Sequence, residues 1–180
     1  AGELFDPDSV LAAFEEKIPG ADLVVCNHVS NVFGFIQPVY EIGRIAKKHK
    51  IPFLLDVAQT AGSINIDTEK MNADMIAFPG HKGLMGPLGT GGLYVKSPEE
   101  LAPLVTGGTG SNSESVSQPE FMPDKFHSGT MNTPAIKALG AGVKYVMKYG
   151  VDVIGKHEKM LSEKFKENLM NMDNVTVYGN

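Results

Sequence analysis

Residues 54–95 read LLDVAQTAGSINIDTEKMNADMIAFPGHKGLMGPLGTGGLYV, and how this stretch is read decides the fold. LLDV and DMIAFP are apolar runs of strand length. Just past the second run stands Lys82, between His81 and Gly83. An ammonium at the end of a core strand is costly to bury, and a desolvated lysine lowers its pKa instead. Lys82 therefore either reaches solvent or performs chemistry where it stands.

Outward from this stretch the pattern alternates. Residues 6–18, DPDSVLAAFEEKI, predict an amphipathic helix capped by Asp6 or Asp8, with Gly20 closing the turn after it. Residues 21–27, ADLVVCN, read as a short strand, and 37–50, QPVYEIGRIAKKHK, as a helix with Pro38 in its first turn. The strand at 91–96, GGLYVK, follows DMIAFP without room for a crossover helix, which predicts an antiparallel pair. Residues 133–150 and 151–172 read as two consecutive helices, and 174–179, NVTVYG, as a last strand. In the second of these helices Leu161, Phe165 and Leu169 share a partly helical spacing with the methionines, which predicts core packing. Short apolar strands between helices predict an α/β domain whose mostly parallel sheet is flanked by helices.

Residues 107–133, GGTGSNSESVSQPEFMPDKFHSGTMNT, are rich in Gly, Ser and Pro and have no period. A loop of that length within a compact domain is expected to be functional or disordered. A helix with no strand before it, and a strand signal with nothing after it, read as a domain truncated at both ends.

The gross numbers exclude several classes. A chain of 180 residues, 42% hydrophobic and 21% charged, is an ordinary globular domain. Sixteen basic against twenty-one acidic side chains give a net charge of −5, which argues against nucleic-acid or anionic-membrane partners. The one basic run, KKHK at 47–50, suits the last turn of a helix. A single cysteine, Cys26, allows no internal disulfide and fits a reducing compartment. With no membrane-length apolar run and no signal-peptide pattern, we expect a cytoplasmic protein.

Ligands of an α/β sheet bind beyond the carboxyl ends of its strands. Those ends carry Asn27, His28, Ser30 and Asn31; then Asp56 and Gln59; then His81 and Lys82. Neighbouring strands would thus gather an acid, amides, imidazoles and a lysine in one crevice. Pyridoxal phosphate chemistry needs such a set, with a lysine for the Schiff base and an acid for the pyridinium nitrogen. The alternatives are plainer. Lys82 read alone is as readily a surface lysine, and Asp56 alone could cap the following turn. Cys26 has the setting of an inert core thiol. His28 is equally a satisfied polar residue or a functional one. GPLGTGG at 86–92 lacks the spacing of either common nucleotide-binding loop and runs into a strand.

The run DVAQTAG at 56–62, continued by DMIAFPGHKGLMGPLGTGGLYV at 74–95, resembles the cofactor-binding core of the class V aminotransferases, and most of all the cysteine desulfurases. HVSNVFG at 28–34, GGTGS at 107–111 and FHSGTMN at 126–132 agree in order along the chain. The resemblance implies a partial fold-type I large domain over 1–173, with 174–180 beginning a small domain otherwise absent. It implies pyridoxal 5'-phosphate on Lys82, with Asp56 at the pyridine nitrogen and Gln59 at the phenolic oxygen. His81 would then bind the phosphate, and Asn31 the substrate carboxylate or the cofactor. Thr109 would reach the phosphate of a second subunit across a homodimer interface.

Two departures stand out. Pro79 occupies the place of a phosphate-binding hydroxyl, and His127 and Met131 replace the commoner Glu and Pro. The phosphate loop and ring-stacking His expected upstream, and the substrate Arg and nucleophilic Cys expected downstream, have no counterpart in these residues. The resemblance implies a desulfurase that turns L-cysteine into L-alanine and a persulfide, with a small amino-acid substrate and a sulfur-acceptor protein. A class V transaminase using the same cofactor site, or a non-catalytic module without cofactor, are the alternatives. This fragment by itself is expected to be inactive.

Overall fold

The computed structural model describes residues 5–108, 110–112 and 114–178. Helix α1 (Pro7–Lys17) starts at Asp6, whose carboxylate accepts from the N–H groups of Asp8 and Ser9. Four strands follow, β1 (Val24–Asn27), β2 (Phe53–Asp56), β3 (Met75–Pro79) and β4 (Gly91–Val95), forming one sheet in the order β1-β2-β3-β4. The first three are parallel and β4 is antiparallel to β3, as the short connection between them requires. Helix α2 (Val39–His49) joins β1 to β2, and the single turn α3 (Thr68–Met71) lies between β2 and β3. Helices α4 (Thr133–Tyr149) and α5 (Val151–Met170) close the chain.

Register assigns each side chain to a face. Cys26, Leu55 and Ile76 stand side by side, and all three are buried. Val39, Ile42, Ile45 and Ala46, spaced for one helical stripe, bring α2 onto this face and complete the core with Phe53 and Met71. Phe53 is fully buried, so Phe53→Ala would cost about 3–5 kcal/mol. Helix α2 ends with Lys47, Lys48 and His49 in its last turn and Lys50 in the left-handed conformation at φ 59°. The opposite face carries the row Asn27, Asp56, Ala77 and Leu93. That face is more open, with Val25 58% and Leu93 55% exposed.

Two expectations are corrected. Residues 175–178 form no strand; a strand needs a hydrogen-bonded neighbour, and none of the four strands pairs with this segment. Helix α5 buries no residue: Leu161, Phe165 and Met170 are all more than half exposed. It packs on α4 and, through Gly155, against the Ser63 backbone, and neither contact covers its apolar stripe. The helix α3 and two short 3-10 turns at Pro98–Glu100 and Asp124–Phe126 had no clear signal in the sequence.

The long polar loop is internally tied. Gln118 Nε2 donates to the carbonyls of Asp124 (2.9 Å), Lys125 (3.3 Å) and His127 (2.9 Å), while its Oε1 accepts from Gly107 N–H (3.3 Å). Lys125 is buried, and its ammonium lies 3.4–3.5 Å from the Pro98 and Glu99 carbonyls and the Glu120 carboxylate. Those contacts supply the acceptors a buried ammonium requires.

Candidate active site

The carboxyl end of β2 turns sharply after Asp56. One Asp56 oxygen accepts from Ala58 N–H at 2.8 Å, the Asx-type turn that places a carboxylate at a strand end. Thr60 and Ala61 N–H groups both donate to the Val57 carbonyl, which winds the chain into a tight turn carrying Gln59 outward. Strand β3 ends at Pro79, and the buried Gly80 redirects the chain, so His81 and Lys82 lie beyond the strand and are exposed. The lysine loop closes on itself: Gly86 N–H donates to the Gly80 carbonyl at 2.7 Å and Met85 N–H to the Lys82 carbonyl at 2.8 Å. The placement of Lys82 thus has a geometric account. Its charge escapes to solvent in a cleft.

That cleft, about 510 Å3, is lined by Asp56, Ala58, Phe78, His81, Lys82 and Thr90, with Gly91 and Gly92 of β4 at its edge. The volume lies in the range of small-molecule sites. Asp56, His81 and Lys82 are therefore brought together. Gln59 is exposed one residue beyond Ala58 and does not line the cleft. Asn31 lies outside it too, exposed in the loop after β1, which Ser30 N–H closes on the Phe35 carbonyl (3.1 Å) and Gly34 N–H on the Ser30 carbonyl (3.0 Å). Thr109 lies outside the described residues.

Two features escaped the reading of the sequence. Thr90 lines the cleft, with its hydroxyl donating to the Pro87 carbonyl at 2.6 Å; its place in GPLGTGG was the available signal. His28 is buried with its Nδ1 3.0 Å from Thr60 Oγ1, a pairing no local pattern reveals. Burial pushes the His28 imidazole below the usual histidine range. Burial also pushes the Cys26 thiol up to about 11, so it is protonated and unreactive at neutral pH.

A second cleft, about 540 Å3, lies at the amino ends of the strands, with Asp22, Lys47, Asp74 and Lys96 among its walls. Three of its polar groups have partners: Lys47 donates to Asn72 (2.9 Å), Asp74 accepts from Phe53 N–H (3.0 Å), and Lys96 stands 4.0 Å from Glu69. The end of the sheet that binds ligands in such folds is the other one.

The donor set fits pyridoxal phosphate. A primary amine, a carboxylate on the adjoining strand and an imidazole share one small-molecule cleft, and glycines leave room along one edge. Among the described residues no group of His, Cys, Asp and Glu could hold a metal ion, and no helix is long and apolar enough to cross a membrane.

The family model for aminotransferase class-V matches residues 5–180. A protein of Pyrococcus abyssi named a probable cysteine desulfurase is 40% identical over 178 residues, which cover 94% of this chain and 43% of that protein. One of the same name from Methanothermobacter thermautotrophicus is 37% identical, covering 99% of this chain and 45% of its own length. Among solved structures, the apo cysteine desulfurase of Thermococcus onnurineus superposes with a TM-score of 0.82 at 38% identity, over 94% of this chain and 43% of that one. The chain thus spans less than half the length of the relatives it matches.

Proposed function

The chain belongs to the aminotransferase class-V family, and from that premise we propose that the whole protein is a pyridoxal 5'-phosphate-dependent cysteine desulfurase. It would convert L-cysteine to L-alanine and leave the sulfur as a persulfide on a cysteine of the enzyme. The observation that carries this reading is the shared cleft of Asp56, His81 and Lys82 at the carboxyl end of a mostly parallel sheet. Relatives at 37–40% identity that bear the desulfurase name support it.

When bound, the cofactor supplies an electron sink for the substrate's α-carbon. The residues of this chain would divide the other tasks among them. Lys82 Nζ would hold the cofactor covalently and would move a proton at the substrate's α-carbon. Exposure at a cleft mouth gives that amine the freedom to do both. Asp56 keeps the pyridine nitrogen protonated, and its bond from Ala58 N–H fixes the carboxylate's orientation in advance. His81 would bind the phosphate; Gln59 and Asn31, both exposed outside the cleft, would have to reach in, Gln59 to the phenolic oxygen and Asn31 to the substrate carboxylate or the cofactor. Cys26, buried and protonated, is unfit to accept sulfur, so a different cysteine of the whole protein takes that role.

The same reading makes the protein a cytoplasmic homodimer in which Thr109 reaches the other subunit's phosphate, with a sulfur-acceptor protein as a further partner. Residues 174–180 then begin its small domain. The full-length protein, reduced with borohydride and digested, should carry the cofactor on the peptide containing Lys82. It should release alanine from L-cysteine, and Lys82→Ala should lose both properties. A stable adduct on another lysine would refute the assignment.

A further inference from the structure

At the carboxyl end of β1 one buried residue is attached to two loops at once. The His28 N–H donates to the Asp56 carbonyl at 2.8 Å, and the His28 carbonyl accepts from Gln37 N–H at 2.9 Å. The first bond grips the start of the turn bearing Asp56 and Gln59. The second closes the loop bearing Asn31. The His28 ring then meets Thr60 Oγ1 at 3.0 Å, at the far end of the Asp56 turn and 32 residues away in sequence.

Within that turn Ala58 N–H donates to Asp56 and Thr60 N–H to Val57, which shapes it locally, while Val57 N–H donates to the Ala77 carbonyl of β3 at 3.0 Å and ties only its start to the sheet. The ring of His28 ties its far end to β1. His28 is 3% exposed and Thr60 1%, so bulk water cannot replace either partner. Removing His28 leaves the Thr60 hydroxyl only its 3.5 Å bond to the Val57 carbonyl, and removing Thr60 leaves the buried His28 Nδ1 without this bond, a costly way to lose a hydrogen bond.

We infer that His28 and Thr60 form a positioning pair that sets how Asp56 and Gln59 present to the cofactor relative to the Asn31 loop. Neither residue lines the cleft, so the pair acts through the turn rather than by contact. The inference rests on the cofactor site proposed above and adds to it the two residues that hold that site in register.

The test uses the full-length enzyme and the variants Thr60→Val, His28→Leu, Thr60→Ser and His28→Asn. Three quantities are read: the pyridoxal phosphate dissociation constant, the pH midpoint of the visible band of the lysine-bound cofactor, and the melting temperature. Thr60→Val and His28→Leu should each weaken cofactor binding about tenfold, the scale of one buried hydrogen bond, and displace the band's midpoint. Serine and asparagine keep a hydrogen-bonding group in place and should restore both. The double variant Thr60→Val/His28→Leu should be little worse than either single one. Thr60→Val, nearly isosteric, decides the matter even where His28→Leu does not fold. Unchanged cofactor affinity and spectrum in Thr60→Val, with only a lower melting temperature, would overturn the inference. A wild-type enzyme with no lysine-bound cofactor would sink the desulfurase reading and this inference together, and that result needs no variant to recognise.

Discussion

Gly62 and Gly83 meet backbone to backbone. A Cβ on Gly62 would overlap the Gly83 carbonyl, and a Cβ on Gly83 would overlap the carbonyl of Ala61. This contact joins the turn that follows Asp56 and Gln59 to the loop that carries Lys82. The spacing of acid and lysine is therefore set in part by two side chains that are missing.

Gly62→Ala should be far more damaging than an alanine at an equally left-handed but open position. Gly62 holds φ +99° in a crowded contact, while Gly20 holds φ +87° with nothing within 4 Å of the place a Cβ would take. Backbone strain alone predicts about 1 kcal/mol for Gly20→Ala, and the added overlap raises Gly62→Ala to about 2–4 kcal/mol. Urea midpoints of the two variants check this. Equal losses would mean that the contact yields without cost.

Asp56→Asn keeps the acceptor for Ala58 N–H and removes only the charge. On the proposed desulfurase reading, the full-length protein should keep its cofactor while turnover falls by about 10²–10³, the scale of losing one preorganised charge contact at a reacting centre. Steady-state alanine release from L-cysteine measures it. Near-normal turnover would remove Asp56 from the chemistry.

Cys26 should resist thiol reagents in the native protein. It is 7% exposed, its Sγ donates to the Asn27 carbonyl at 3.2 Å, and its pKa is pushed up to about 11 by burial. Only the thiolate reacts, so native labelling should be slow and should become complete on denaturation. Fast labelling of the folded chain would contradict its place in the core.

His28 should make stability depend on pH below neutrality. Its folded-state pKa lies below the ordinary 6.5 because burial disfavours the imidazolium. The unfolded chain therefore binds the proton first as pH falls. The contribution is complete above about pH 6.5 and is lost as pH drops from there through the folded-state value, at no more than about 1.4 kcal/mol per pH unit. Chemical denaturation at several pH values, compared between wild type and His28→Asn, isolates this slope. Parallel curves for the two proteins would show that His28 takes up its proton without hindrance.

The sequence by itself determined the elements whose signal is local. Helix α2 is legible because Ile42, Ile45 and Ala46 fall on one stripe, and β4 because a connection too short for a crossover leaves only an antiparallel return. The motif around Lys82 is legible only as part of the ordered run from Asp56 to Val95, whose resemblance to class V aminotransferases the family match bears out. The facing of those elements depends on residues far apart in the chain, and there the tertiary structure decided. Phe165 sits on an apolar stripe that asks for a partner without naming one, and it stands exposed. The segment 175–178 has the composition of a strand, but strand geometry exists only where a neighbour supplies hydrogen bonds. His28 finds Thr60 across 32 residues, and Gly62 finds Gly83 across a helix and a strand. No periodicity within an element encodes such meetings, because they are fixed by how the sheet orders its strands and how closely two backbones can approach.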